Sequence, residues 1–370
     1  MATIPSHSRA AVLRSFGEPV RIEQVPVPTE IEPGAVLVKT ETCSICGTDV
    51  HLWQGSLALT VDLPVILGHE MVGRVAKLGP GAEKESAGRK LREGDRIVWT
   101  HTACNSCFFC TVARQPTLCE NRRAYMYENI EKPPYLLGGF SEYVYVLPQS
   151  SRFRVPDAIS SPVASLCSCA LRSVMNAYAN LGEIQPHETV VVQGSGPLGL
   201  LATAVASVAG ARRVIIAGAP DARLDLAEAF GATDIISIER TGPEERLDKV
   251  LSCTDGRGAD IVMEFTGHPG AFNEGLAMAR RGGRYLVVGQ LGEGETTIKP
   301  SILVKKNLRL VGSFSGDARS YWQALRFAEH WQGRIPFEKM ISNRFTIDEV
   351  NTALGRMKAF QEIKPVIEFA

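Results

Sequence analysis

No net charge, no long apolar run and no internal repeat mark this chain of 370 residues. Lys and Arg together number 40, as do Asp and Glu, so no net field directs the chain toward nucleic acid or an anionic membrane surface. No apolar run reaches the ~18 residues that a membrane-spanning helix needs. The opening MATIPSHSRAAVL has no hydrophobic core of a secretory leader, and a cytoplasmic setting is expected. Neither nucleic acid nor membrane is therefore an expected partner. Cysteine is scarce, nine in all, and disulfides are rare in that compartment. Four of the nine nevertheless crowd into CNSCFFCTVARQPTLC, as Cys104, Cys107, Cys110 and Cys119.

That crowding follows C-x2-C-x2-C-x8-C. Three thiolates two residues apart can fold around one tetrahedral Zn2+, and a fourth returning to it closes the shell. Four protein thiolates leave no position for water or substrate, so such a site is structural. A reactive dithiol is the alternative reading.

The length favours two domains. The first ~155 residues read as β-rich, with alternating segments such as AVLVKTE, VGRVAKLG and FSEYVYV between Gly and Pro. GGFSEY, from Gly138, reads as a turn into a strand. After Pro186 strands alternate with helices: ETVVVQG, PLGLLATAVASVAGA, RVIIAGA, ARLDLAEAFGA, DIISI, EERLDKVLSCT, DIVMEFTG, AFNEGLAMARRGG and RYLVVGQ. This order predicts a doubly wound parallel α/β sheet. YWQALRFAEHW and KPVIEFA then leave the sheet domain.

VVVQGSGPLGLL sets Gly194, Gly196 and Gly199 as G-x-G-x-x-G between a strand and a helix, with Pro197 and Leu198 inside the motif. The first glycine turns the chain, the second admits a pyrophosphate to the backbone, and the third lets helix and strand pack. The next strand ends at Gly218, and its first carboxylate is Asp221. Asp221 turning back to the ribose would favour NAD. Open space at Gly218, with Arg212 or Arg223 nearby, would favour NADP. NAD is slightly preferred, and the two arginines read more simply as solvated charges at helix ends.

CGTDVH, from Cys46 to His51, and GHE, from Gly68 to Glu70, join the cysteine loop and the nucleotide motif in one order. Together they resemble the zinc-dependent medium-chain alcohol dehydrogenases over essentially the whole chain. The resemblance implies a GroES-like β-barrel catalytic domain at 1–170, a Rossmann dinucleotide domain at 171–314, and a return to the catalytic domain at 315–370. It also implies an active site in the cleft between domains and a homodimer or homotetramer. Two zinc ions per chain are implied, one catalytic and one structural, with the four-cysteine loop holding the second.

In that frame Cys46 and His69 are ligands of the catalytic zinc. The third comes from SLCSCALRSVMNA, which has no acidic residue; the family frame favours Cys169 over Cys167, leaving Cys167, Cys43 and Cys253 as core thiols. The lack of a glutamate there counts against a polyol dehydrogenase. Three protein ligands leave one position for substrate. Asp49 would orient His69, cap a helix, or both. Glu70 would approach the metal or stand behind its ligands as a charge. Thr48 would take the alcohol proton and His51 would relay it to solvent. Val288, Gly289, Thr266 and Gly267 would meet the nicotinamide, and Trp53, Tyr125 and Tyr127 would line the substrate pocket or simply pack.

The expected function is hydride transfer between a primary or secondary alcohol, or its carbonyl product, and a nicotinamide cofactor. Dehydrogenases of polyols, amino alcohols or glutathione adducts are the neighbouring readings. A non-enzymatic nucleotide-binding relative would have no need of Cys46, Thr48, His51 and His69. The eight-residue gap before Cys119, one longer than is common in the family, requires a bulge within TVARQPTL.

Overall fold

A computed structural model describes residues 4–57, 61–290, 292 and 294–369. The chain divides into two compact units, one of Met1–Arg172, Gly316–Gln332 and Met340–Ala370, the other of Ser173–Ser315 and Gly333–Lys339.

The first unit is built on two sheets. A three-stranded sheet runs Arg21–Pro26, His7–Leu13, Val65–Ile66. A seven-stranded sheet runs Ile341–Phe345, Lys364–Glu368, Val36–Ser44, Glu70–Leu78, Arg96–Trp99, Arg152–Arg154, with Tyr143–Val146 also paired to Val36–Ser44. The central strand Val36–Ser44 is buried along most of its length, with its apolar run Val36–Val38 in the core and Lys39 exposed. Leu37, Ile45, Leu67, Trp99, Tyr125 and Phe140 meet in one core. Tyr125 is fully buried there, and its hydroxyl pairs with Ser150 Oγ at 2.7 Å while accepting the Leu147 N–H at 3.0 Å.

The second unit holds a six-stranded sheet in the order Asp234–Ser237, Arg213–Gly218, Thr189–Gln193, Ala259–Glu264, Ala279–Val287, Arg309–Gly312, with every pair parallel. This is the strand order of a doubly wound dinucleotide fold, whose ligand crevice lies at the carboxyl ends of the strands where the winding reverses. Thr189–Gln193, at that reversal, is buried throughout. The helix Pro197–Val208 follows it.

Two expectations are corrected. The segment expected to continue the helix of AFNEGLAMARRGG is strand: the helix stops at Met278 and Ala279–Val287 pairs with Ala259–Glu264 through an irregular register. Gly282, at φ 69, supplies the backbone freedom this stretch uses. The second expected helix of this unit is short, spanning only Asp221–Leu224. Arg309–Gly312 is an added edge strand that the sequence pattern did not announce.

Tyr125→Phe is expected to destabilise the protein by about 1–3 kcal/mol, because the buried Leu147 N–H and Ser150 hydroxyl lose their partner. A lower midpoint in thermal or denaturant unfolding would register this; an unchanged midpoint would contradict it.

Candidate active site and metal centres

Cys46, His69, Glu70 and Cys169 come together, all buried, with one ligand atom of each within 4.8 Å of the others. Cys46 stands at the N-terminus of the helix Gly47–Gln54. His69 follows Gly68 just before the strand Glu70–Leu78. Gly68 sits at φ +91, and a Cβ there would meet the Phe140 ring at 2.6 Å and its backbone nitrogen at 2.8 Å, so no other residue fits this turn. Cys169 lies in a π-helical turn, Cys167–Leu171, between the helices Ser161–Leu166 and Arg172–Leu181. Such turns widen a helix and redirect its side chains. Cys169 Sγ stands 3.4 Å from His69 Nε2, while Cys167 Sγ points to the Ala324 carbonyl at 3.7 Å. It is Cys169, not Cys167, that reaches the other two residues.

Asp49 binds this assembly together. Its carboxylate accepts the Cys46 N–H at 2.8 Å and the Gly68 N–H at 3.0 Å, and lies 3.4 Å from His69 Nδ1. It therefore joins the helix start and the histidine turn at once. His69 Nδ1 also meets Met126 Sδ at 3.3 Å. Burial opposes a charged His69 ring, but Asp49 and the Cys169 sulfur outweigh it and push the ring well above its ordinary pKa. A hydrogen bond from the Cys169 thiol holds Cys46 well below the usual thiol range, against burial and with help from the Lys364 ammonium; Cys169, the donor, is raised.

Glu70 is fully buried, and its carboxylate receives the Lys364 ammonium at 2.6 Å and the Ser44 hydroxyl. Burial lifts Glu70 to about 7 despite the pull of Lys364. Lys364 itself is 1% exposed. Arg172, also buried, directs Nη2 to Cys169 Sγ at 3.8 Å and lies over the Tyr321 ring at 5.4 Å. Thr48 Oγ1 is 3.7 Å from Cys46 Sγ, and the exposed His51 pairs Nδ1 with Ser56 Oγ at 3.1 Å.

The aromatic residues part company. Trp53 donates its indole N–H to Glu18 O at 2.7 Å and lies under the Lys358 ammonium, which makes it a packing residue. Tyr125 packs in the core. Tyr127 stands in the field of His69, Asp49 and both thiols, and burial raises its hydroxyl to about 12.

Cys104, Cys107, Cys110 and Cys119 also converge, each sulfur within 4.8 Å of the rest. Backbone N–H groups point at the sulfurs, Cys104 N to Cys119 Sγ and Cys107 N to Cys104 Sγ, each at 3.3 Å. Hydrogen bonds from Ser106 and Asn121 hold Cys104 down at about 5. The long gap is absorbed by a helical turn at Phe108–Thr111, a left-handed Arg114 at φ 54 and a 3-10 turn at Pro116–Leu118. Cys43 is buried, whereas Cys253, expected in the core, is only half-buried.

Both clusters fit zinc. The 3.4 Å between Cys169 Sγ and His69 Nε2 and the 4.0 Å between Cys107 and Cys119 Sγ match tetrahedron edges of about 3.5–3.8 Å for Zn–N near 2.0 Å and Zn–S near 2.3 Å. One set is all sulfur and the other mixed N/S, and both are ordinary zinc donors.

In the second unit Gly196 caps the helix Pro197–Val208, and a Cβ on it would meet no protein atom. The space over this turn is thus free for a pyrophosphate. A Cβ on Gly199 would lie 1.8 Å from Gly194 O, which explains the third glycine. Gly218 is not open: a side chain on it would run into Ser195, 2.5–2.7 Å away. Asp221 is paired with Arg240 at 2.5 Å, and its N–H is accepted by Glu239 at 3.0 Å. Arg212 is exposed as expected, but Arg223 is buried rather than solvated. Glu264, which the sequence did not single out, gathers the N–H groups of Thr266, Gly267 and Gly289 on its buried carboxylate, and its carbonyl takes that of Val288.

A nucleotide-type parallel sheet, joined in one chain to a mixed N/S metal cluster and a closed four-thiolate cluster, defines a metal-dependent oxidoreductase. Residues 32–157 match the alcohol dehydrogenase GroES-like domain, and residues 197–330 match the zinc-binding dehydrogenase family. The chain is 36% identical to 5-exo-hydroxycamphor dehydrogenase of Pseudomonas putida over 98% of this chain and 99% of that protein. It superposes on an alcohol dehydrogenase from Thermotoga maritima with TM-score 0.91 and 32% identity, covering 98% and 99% of the two chains. A zinc-binding dehydrogenase from Sinorhizobium meliloti, solved bound to NADP, gives TM-score 0.85 at 29% identity over 99% and 100%. This chain belongs to the zinc-dependent medium-chain alcohol dehydrogenase family, and it is an α/β protein with a GroES-like domain and a Rossmann domain. Its activity is zinc-dependent alcohol oxidoreduction with a nicotinamide cofactor. No helix among the described residues is long and apolar enough to cross a membrane.

Gly218→Ala is expected to destabilise the second unit through its clash with Ser195, and Ser195→Gly in the same chain is expected to restore the loss. Unfolding midpoints of the two single variants and the double variant test this coupling.

Proposed function

We propose that this enzyme oxidises a secondary or primary alcohol to its carbonyl, or reverses that reaction, at a catalytic zinc held by Cys46, His69 and Cys169, with a structural zinc held by Cys104, Cys107, Cys110 and Cys119. The observation that carries the reading is the convergence of the two thiols and the imidazole on Asp49, which ties both of their loops. Zinc bound there would supply Lewis acidity at the substrate oxygen, and a nicotinamide bound to the second unit would supply the hydride acceptor or donor. The protein's own part is positioning and proton movement. Asp49 fixes the His69 ring so that Nε2 faces the metal position. Thr48, whose hydroxyl lies beside Cys46 Sγ, accepts the alcohol proton. Thr48 gives up its own hydroxyl proton as it takes that of the alcohol, and His51, exposed and paired with Ser56, passes the released proton to solvent. Lys364 and Ser44 keep Glu70 turned toward them, where it serves as a charge behind the ligands.

Gly194, Gly196, Pro197, Leu198 and Gly199 would hold the pyrophosphate, Gly218, Asp221 and Arg223 the ribose, and Thr266, Val288 and Gly289 the nicotinamide. NAD is the cofactor we infer. Ser195 fills the direction in which residue 218 would project, and Asp221 and Glu239 place two carboxylates at that strand end, against the single Arg240 guanidinium paired with Asp221. Both features disfavour a 2′-phosphate. The absence of an acidic residue in the Cys167–Leu171 turn speaks for a simple alcohol over a polyol. A homo-oligomer is supported by the exposed edge strand Arg309–Gly312, with Leu310 at its surface, and a cytoplasmic setting by nine cysteines of which none is in a disulfide.

Metal analysis should find two zinc ions per chain, and reduced nicotinamide should accumulate with NAD and an alcohol. Cys169→Ser should lose one zinc and reduce turnover at least about a thousandfold, while Cys167→Ser keeps both metals. A single zinc in the unmodified protein, or no turnover across a broad alcohol panel, would refute the assignment.

A further inference from the structure

Arg172 stands directly behind the metal cluster, yet it has no part in the chemistry described above. Its side chain is 3% exposed, and a buried charge is costly unless opposite charge and hydrogen bonds replace the lost water. A like charge also stands near it: the half-buried Arg122 guanidinium is pushed down to about 10, by burial first and by Arg172 next. Besides the Tyr321 phenol, the acidic groups in the field of Arg172 are the Cys169 thiol, the Glu70 carboxyl and the Cys46 thiol. Cys169 lies within direct reach, with Nη2 at 3.8 Å from Sγ, a separation at which the large sulfur atom still accepts an N–H. Three further contacts aim the guanidinium there. Nε donates to the Ser168 carbonyl in the π turn at 3.2 Å. The Tyr321 ring, on the helix Ala318–Trp331, lies against Cζ at 5.4 Å. Gly316 packs its backbone on the arginine stem, where a Cβ would stand 2.7 Å from Arg172 Cδ and 2.9 Å from its carbonyl oxygen. The glycine is needed there for space.

We propose that Arg172 is a positioning residue for the catalytic metal, whose Nη2–H donates to the Cys169 sulfur and draws charge from it, so that the metal held by that sulfur is the stronger Lewis acid. This rests on the reading of Cys46, His69 and Cys169 as its ligands. Two thiolates and a neutral imidazole together cancel the charge of a divalent zinc, which blunts its pull on a substrate oxygen. A charge-assisted hydrogen bond to one of the sulfurs offsets part of that donation. The planar guanidinium can bond the Ser168 carbonyl, rest on the Tyr321 ring and face the sulfur at once, which an ammonium cannot. A side chain that only braced the π turn would leave the electron density on the sulfur unchanged.

The test replaces zinc with cobalt(II), whose sulfur-to-metal charge-transfer absorption reports the electron density on the ligand sulfurs. In Arg172→Met, which keeps an unbranched stem and removes the donor, this absorption should move to lower energy with both metals still bound. The four-cysteine cluster adds bands of its own, which cancel in the difference spectrum against the unmodified protein. Arg172→Lys, which keeps the charge without the fork, should fall between the two. In the zinc form, kcat of Arg172→Met should drop by about 10–100-fold at unchanged metal content, and Arg172→Lys should recover part of it. An absorption that does not move in Arg172→Met, or an unchanged kcat, overturns the inference, while alcohol turnover by the unmodified enzyme leaves the catalytic reading standing. Retention of both metals by Cys169→Ser would instead overturn that reading. Should Arg172→Met fail to fold or to hold its metal, a crystal structure of the unmodified zinc-loaded enzyme decides. Nη2 within hydrogen-bonding distance of the Cys169 sulfur upholds the inference, and a guanidinium turned away from that sulfur overturns it.

Discussion

The Asp49 carboxylate is the constraint on which the site depends. Cys46 and His69 belong to separate segments, one opening a short helix and the other following a glycine turn, and nothing in either segment alone would hold their donor atoms at bonding distance. Asp49 accepts an N–H from each segment and faces the imidazole from behind. A buried carboxylate with three such neighbours is at once a helix cap, a loop clamp and an orienting group. The two readings that the sequence left open for Asp49, cap and histidine partner, describe one geometry. The surrounding features serve the same end: Gly68 gives up its side chain so that Phe140 can pack on the turn, and the π turn brings Cys169 to the pair while leaving Cys167 in the packing.

Much of this was legible in the sequence because the relevant signals are local. Cys46, Thr48, Asp49 and His51 lie within six residues of sequence, the four thiols of the second cluster within sixteen, and the glycines of the nucleotide turn within six. Spacing of this kind translates directly into geometry. The alternation of strands and helices was equally plain, because buried parallel strands read as apolar runs. Where the pattern misled, tertiary pairing overrode local preference. Ala279–Arg284 looks like the end of a helix, but its backbone completes a ladder with Ala259–Glu264.

What stayed hidden was long-range. Lys364 lies nearly three hundred residues from Glu70, and no periodicity links them. Arg172 begins the helix after the π turn, and its guanidinium reaches the Cys169 thiol three residues back. Gly218 seemed to advertise room for a phosphate, when its lack of a side chain accommodates Ser195. In each case the residue type was visible and its neighbour was not.

The pairing of Glu70 with Lys364 carries a consequence for how the protein is made. Its partners are 294 positions apart, and the strand Lys364–Glu368 locks onto Val36–Ser44. The whole parallel-sheet unit lies between them in the order of synthesis. An emerging chain that already contains both metal clusters therefore still lacks the ammonium that balances Glu70 and the strand that holds it in place. The thiols and the imidazole precede the nucleotide-fold unit in the chain, whereas the ammonium that balances Glu70 follows it.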